Sequence, residues 1–189
     1  MLVLALDVGT SSTRARCFDT AGRPVPGAEG RAAYESRITA DGGAELDPDA
    51  LLEAVARAVD NCLAGCGRRA RDIGAAGASV FWHSLLGLDP GGAPLTPILT
   101  WADTRSAGAA AELRERLDPG QVHARTGAPL HSTFFPAKLG WLCRSQPDLF
   151  GRAARWCGFA EYLLERLTGA WRASVSMASG TGLMDQAAA

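Results

Sequence analysis

The stretch "LALDVGTSSTRARCFD", Leu4 to Asp19, decides how the chain is to be read. An apolar strand over residues 2–6 runs straight into Asp7, Gly9 and a row of hydroxyls, and Thr13 to Phe18 return as a second strand. A tight hairpin of this kind can aim successive backbone N–H groups into one concavity, with Gly9 supplying the conformational freedom. Thr10, Ser11 and Ser12 add hydroxyl donors and Arg14 a fixed positive charge, a set that suits a phosphate. Asp7 cannot itself welcome a phosphate, but it fits if a Mg2+ stands between them, directly or through water. No G-x-x-x-x-G-K-S/T motif occurs, so the hairpin is not the Walker nucleotide loop. On this stretch alone, a hydroxyl-rich turn capped by Asp7 stays open as the alternative.

The rest of the composition narrows the classes. In 189 residues, 47% are hydrophobic and 21% charged, with a formal net charge of -1, an ordinary balance for a soluble globular protein. A mixed, near-neutral charge argues against a nucleic-acid or membrane-surface partner. No apolar run approaches the ~20 residues that span a bilayer, and the first residues lack the basic region of a signal peptide. Five cysteines, at positions 17, 62, 66, 143 and 157, are odd in number and suit no disulfide framework, so a reducing cytoplasm is expected. Cys62 and Cys66 stand one helical turn apart, but on an apolar helix face where buried thiols are common, and a metal pair there is disfavoured.

Along the chain, "DTAGRPV" marks a turn after the second strand and "AAYESRI" reads as a third, which makes the opening a β-meander. "DPDALLEAVARAVDNCLAGCG" is the clearest helix, with Asp47 as N-cap, Pro48 in the first turn and Gly65 or Gly67 at its end. The small-residue strand "IGAAGASV" leads into "FWHSLLGLD", a turn and another strand, "PILTW". A helix capped by Asp103 and two further helical patterns follow, and "SVSMASGTG" reads as a strand and turn supporting the hairpin. Mixed strands and helices in this order predict an α/β domain.

Two segments carry polar residues where a βα loop presents ligands. Trp82, His83 and Ser84 follow a strand directly, and an aromatic face beside an imidazole and a hydroxyl suits a polyhydroxy compound. Trp101, Asp103 and Arg105 alternate, so a continuing strand would put all three on one side. Core packing for Trp82 and Trp101, and helix capping for Asp103, are the plainer alternatives.

The hairpin resembles the first phosphate-binding hairpin of the sugar-kinase, actin and chaperone-ATPase superfamily. "SVFWHSLLGLDPGGAPLTPILTWADTR", "RTGAPLHSTFFPAKLGWL" and "SVSMASGTGLMD" narrow the resemblance to the FGGY carbohydrate kinases, most like gluconokinases. It implies a ribonuclease H-like α/β lobe with a central mixed sheet flanked by helices. It implies ATP and Mg2+ as cofactors, with the ATP phosphates at Thr10, Ser11, Ser12 and Arg14 and the metal at Asp7. Trp82, His83, Trp101, Asp103 and Thr133 fall at sugar-contacting positions, Asp103 as a hydroxyl acceptor, and Arg105 would fix Asp103 or meet a substrate carboxylate. Such kinases have two lobes, and the aspartate that acts as base belongs to the second. Residues 1–189 are therefore read as an N-terminal lobe, incomplete at its C-terminal end and without the ATP-binding second lobe. It would contain no catalytic residue, show little or no kinase activity alone, and pair with itself through an exposed edge, as a homodimer or looser association. The expected activity of the whole is phosphoryl transfer from ATP to a primary hydroxyl of a sugar or sugar acid. Gluconate is favoured and xylulose or another pentulose is the alternative. A non-catalytic sugar- or nucleotide-binding module is the reading from another class.

Overall fold

The computed structural model describes residues 1–188, which fall into two compact units, one of Met1–Ser36 with Asp47–Phe81, the other of Arg37–Leu46 with the chain from Trp82 on. The strands in chain order are β1 (Leu2–Val8), β2 (Ser12–Asp19), β3 (Pro24–Ala33), β4 (Arg37–Ile38), β5 (Ala44–Leu46), β6 (Ile73–Val80), β7 (Leu86–Leu88), β8 (Ile98–Leu99) and β9 (Arg155–Cys157). The helices are α1 (Pro48–Cys66), α2 (Ala107–Arg116), α3 (Pro119–Thr126), α4 (Phe135–Ser145), α5 (Pro147–Arg152), α6 (Phe159–Thr168) and α7 (Val175–Ser179). None is long and apolar enough to cross a membrane.

The first unit is a mixed sheet in the order β3-β2-β1-β6, antiparallel through the meander and parallel between β1 and β6. Strand alternation sorts β2 cleanly: Thr13, Ala15 and Cys17 are buried, while Arg14 and Arg16 are exposed on the other face. Helix α1 packs on β2 and β3 through Leu51, Ala54, Val55, Ala58, Cys62 and Cys66. Its ends form as expected: the Asp47 carboxylate accepts from the Asp49 and Ala50 N–H groups at 3.0 and 2.8 Å, and Gly67 follows the last turn with φ +56°. Helix and strand come close enough that a Cβ on Gly30 would strike the Ala58 carbonyl, and one on Gly65 the Gly27 carbonyl.

The third strand lies elsewhere than "AAYESRI" suggests. It runs from Pro24 to Ala33, and Arg37–Ile38 form β4 in the other unit. Strand β3 contains Pro24 and Pro26, which it tolerates because it is an edge strand, where a missing N–H can face away from the ladder.

The second unit holds two small sheets, β4-β5-β8 and β7-β9, around a core of Leu85, Leu99, Phe135 and Leu142. Trp156 stacks on Phe150 at 5.3 Å beside that core. Two further expectations are corrected. Helix α2 begins after Ser106, not at Asp103, because the Asp103 carboxylate is occupied elsewhere. "SVSMASGTG" forms the short helix α7, N-capped by Ser174, rather than a strand.

One group in the first unit is unbalanced: Thr13 Oγ1 is buried and has no hydrogen-bond partner among the described residues. Thr13→Val removes that hydroxyl at equal volume, and urea unfolding is expected to show a gain of about 1 kcal/mol.

Candidate functional site

The hairpin between β1 and β2 is braced by the chain that leaves β3. The Gly9 N–H donates to the Ser12 carbonyl at 3.0 Å, the Tyr34 N–H to the Ser11 carbonyl at 3.0 Å, and the Tyr34 hydroxyl to the Gly9 carbonyl at 2.6 Å. Gly9 does not adopt a left-handed φ, contrary to expectation. What favours glycine there is the close approach of the turn, since a Cβ would sit 3.2 Å from the Ser12 carbonyl oxygen. Thr10 is half-buried and Ser11 exposed at the tip, whereas Ser12 is buried at 8% exposure. Asp7 and Arg14 face each other across the strands with 3.9 Å between carboxylate and guanidinium, both well exposed. A pair so open to water is worth at most about 1 kcal/mol, so either partner is free to turn toward a ligand. Burial and the Asp7 charge push the Tyr34 phenol up to about 12, which keeps it a donor to Gly9.

In the second unit one buried cation ties together the chain segments that carry Trp82, His83 and Trp101. His83 has a left-handed φ of +60°, a strained conformation for a residue with a side chain. Its backbone carbonyl is held at 2.6 Å by the Lys138 ammonium, which also donates to the Leu99 and Thr100 carbonyls at 3.2 and 2.8 Å. The His83 Nδ1 lies 2.8 Å from the Gly180 carbonyl, and a carbonyl only accepts, so Nδ1 carries the proton and Nε2 is an acceptor. Partial burial lowers the imidazole pKa and favours this neutral form. The ring stands edge-on to Trp82 and Phe134, at 5.5 and 4.7 Å between centroids. Trp82 and Trp101 are 43% and 53% exposed, so both indoles offer open faces. The Thr133 hydroxyl donates to the Trp101 carbonyl at 3.3 Å and lies 3.1 Å from His131 Nδ1.

Asp103 departs from the expected pattern. The strand stops at Leu99, and a turn closed by the Asp103 N–H on the Thr100 carbonyl replaces the alternation that would have aligned residues 101, 103 and 105. Trp101 turns outward, while Asp103 is 1% exposed and its oxygens accept from Arg105 at 2.6 Å and from the Ala44 N–H at 3.2 Å. Its carboxylate thus fixes the loop. Arg105 is shared with Glu45 at 2.7 Å and lies over the Trp141 ring at 4.8 Å.

Glu45, Lys138 and Gly180 were not read as functional from the sequence. Lys138 left a signal: with Phe135 and Leu142 it falls on the apolar stripe of α4, where a lysine must have a buried reason to be. Glu45 left a weaker one, standing between buried Ala44 and Leu46. Gly180 contributes only a backbone carbonyl, which no side-chain pattern announces.

The model of the FGGY family of carbohydrate kinases, N-terminal domain, matches residues 2–188. The chain is 30% identical to a gluconokinase from Bacillus subtilis over 97% of its own length and 35% of that protein. It is 37% identical to a xylulose kinase from Streptomyces rubiginosus over 96% of its length and 36% of the relative's. The crystal structure of a xylulose kinase from Rhodospirillum rubrum superposes with a TM-score of 0.94 at 28% identity, covering the whole chain and 39% of the neighbour. The chain therefore spans about a third of the length of the relatives it matches.

Removing Arg105 strips the buried Asp103 of its ion-pair partner and leaves Glu45 with Arg37 alone, so Arg105→Ala is expected to cost about 3–5 kcal/mol in urea unfolding. Arg105→Lys recovers only part, because an ammonium cannot reproduce the planar fork. Lys138 gives a pH signature. Burial pulls its pKa down to about 7, against an ordinary value of 10.5, while the Asp103 charge opposes the shift. Between those values the unfolded chain binds the extra proton and the folded chain does not, so stability rises with pH and the cost of burying the charge is lost. Native protein should gain on Lys138→Met by up to roughly 1 kcal/mol per pH unit as pH rises above 7, measured by urea unfolding at successive pH values.

The match over residues 2–188 shows that this chain belongs to the FGGY family of carbohydrate kinases and corresponds to its N-terminal domain.

Proposed function

We propose that this chain is the N-terminal lobe of an ATP-dependent carbohydrate kinase that phosphorylates a primary hydroxyl, with gluconate as the favoured substrate. One observation carries the sugar reading: a neutral His83 whose Nε2 is left to accept a hydroxyl, beside the open face of Trp82. Aromatic faces suit the C–H surface of a polyol and imidazole nitrogens suit its hydroxyl edge. Trp101 and Thr133 complete the contacts, and Asp103 acts through the loop it holds.

On this reading the ATP phosphates lie at the β1–β2 hairpin, received by the Thr10, Ser11 and Ser12 segment and by Arg14. An exposed carboxylate at the strand end fits a Mg2+, which takes oxygen ligands and keeps several waters, so Asp7 would hold it. Bound there, the ion supplies neutralisation of charge on the phosphate oxygens. The base that takes the hydroxyl proton belongs to an aspartate of a second lobe. Residues 1–188 then bind and orient, and a rigid hairpin and a fixed imidazole are what positioning catalysis requires. Five free thiols support a reducing, cytoplasmic setting. D-xylulose is the second reading, favoured by the 37% identity to a xylulose kinase.

The test is sugar-dependent ADP release by the protein at its natural length, with gluconate, D-xylulose and glycerol offered separately. Gluconate is expected to lead in kcat/KM by about tenfold or more, and His83→Ala to raise its KM on the order of 10- to 100-fold. A preference for D-xylulose would select the second reading. No sugar-dependent turnover would leave a binding module.

A further inference from the structure

Three sulfurs meet inside the first unit, away from the hairpin tip. Cys17 comes from the buried face of β2, and Cys62 and Cys66 from successive turns of α1. Their Sγ atoms all lie within 4.8 Å of one another, with Cys17 and Cys62 at 3.7 Å. The three residues are 0%, 0% and 6% exposed. The sequence shows only the Cys62–Cys66 pair, because Cys17 is 45 residues from Cys62 and on another element. Three sulfurs around one centre make a donor set for a soft ion.

We propose that Cys17, Cys62 and Cys66 form a binding site for a single trivalent thiophilic metalloid, arsenous acid being its form in water. Charge and ligand number select that class. Zinc closes a structural site with four ligands, no fourth His, Cys, Asp or Glu joins the group among the described residues, and the Ala28 carbonyl beside it already accepts from the Cys62 thiol at 3.2 Å. Monovalent copper or a divalent ion on three thiolates leaves net negative charge in an apolar core, where an unpaired charge is costly. The arginine that acts on this group electrostatically, Arg69, is itself exposed to solvent. A trivalent centre on three thiolates is neutral.

The step balances without a redox partner. Each thiol passes its proton to one hydroxyl of arsenous acid; three S–H and three As–O bonds break, three As–S bonds form, and three waters leave. Arsenic stays trivalent throughout. Burial raises the pKa of all three thiols, so the reactants are also neutral and no buried charge is created on either side. Entry is through Cys66, in the last turn of α1, where helices open most readily.

The experiment is native-state arsenite uptake by the 189-residue chain, read by intact mass and by arsenic K-edge absorption. The expected mass gain is one arsenic less three hydrogens, with three sulfur neighbours and no oxygen in the absorption spectrum. Cys66→Ala should weaken uptake on the order of 100-fold by removing one arm of the chelate, while Cys143→Ser, an exposed thiol outside the trio, leaves it unchanged. Circular dichroism reports whether Cys66→Ala folds, and the absorption spectrum of the unmutated chain needs no variant. Equal uptake by a folded Cys66→Ala protein, an oxygen neighbour at arsenic, or uptake only after denaturation would overturn the proposal.

Discussion

The Lys138 ammonium has three N–H bonds, and the second unit supplies three backbone carbonyls to meet them, from His83, Leu99 and Thr100. Those carbonyls belong to the two chain segments that carry Trp82, His83 and Trp101. A neutral amine has only two N–H bonds to give, so this arrangement favours the charged form against the desolvation that opposes it. The strain of a left-handed His83 persists because the backbone is held there, with the imidazole secured separately by Gly180. The orientation of the proposed sugar contacts thus rests on a residue that is itself fully buried.

Beside it, Arg105 solves a second burial problem. Two carboxylates, Asp103 and Glu45, are each nearly inaccessible, and one guanidinium serves both. The network ties β5 to the turn after β8, because Asp103 also accepts from the Ala44 N–H. Breaking such a group is expensive, whereas its net contribution against an apolar replacement is small. Its value is placement: it sets where the turn after Leu99 points and therefore which way Trp101 faces.

The first unit achieves rigidity by different means. Its hairpin carries hydroxyls and an exposed ion pair at a tip whose backbone is clamped by Tyr34 from the end of β3. Close approach, rather than unusual dihedrals, accounts for Gly9. Behind the sheet, glycines at 30 and 65 let α1 settle onto β3, and the same proximity brings the α1 thiols to Cys17.

Much of this is local and was legible in the chain itself. The apolar run ending in Asp7, the hydroxyl row and the α1 caps depend on nearest neighbours, so residue order was enough to place them. The quoted segments also carried the family likeness, which the match over residues 2–188 supports. Other features arise from residues distant in sequence and only the tertiary structure decided them. Asp103 could not be told from a helix cap until Ala44, 59 residues away, and Arg105 were seen to occupy its oxygens. The span of β3 through Pro24 and Pro26 depends on its place at a sheet edge, and the role of Lys138 on acceptors 38 to 55 residues earlier. Periodicity records which face of an element is buried, but a buried polar group takes its role from the partner that folding brings to it.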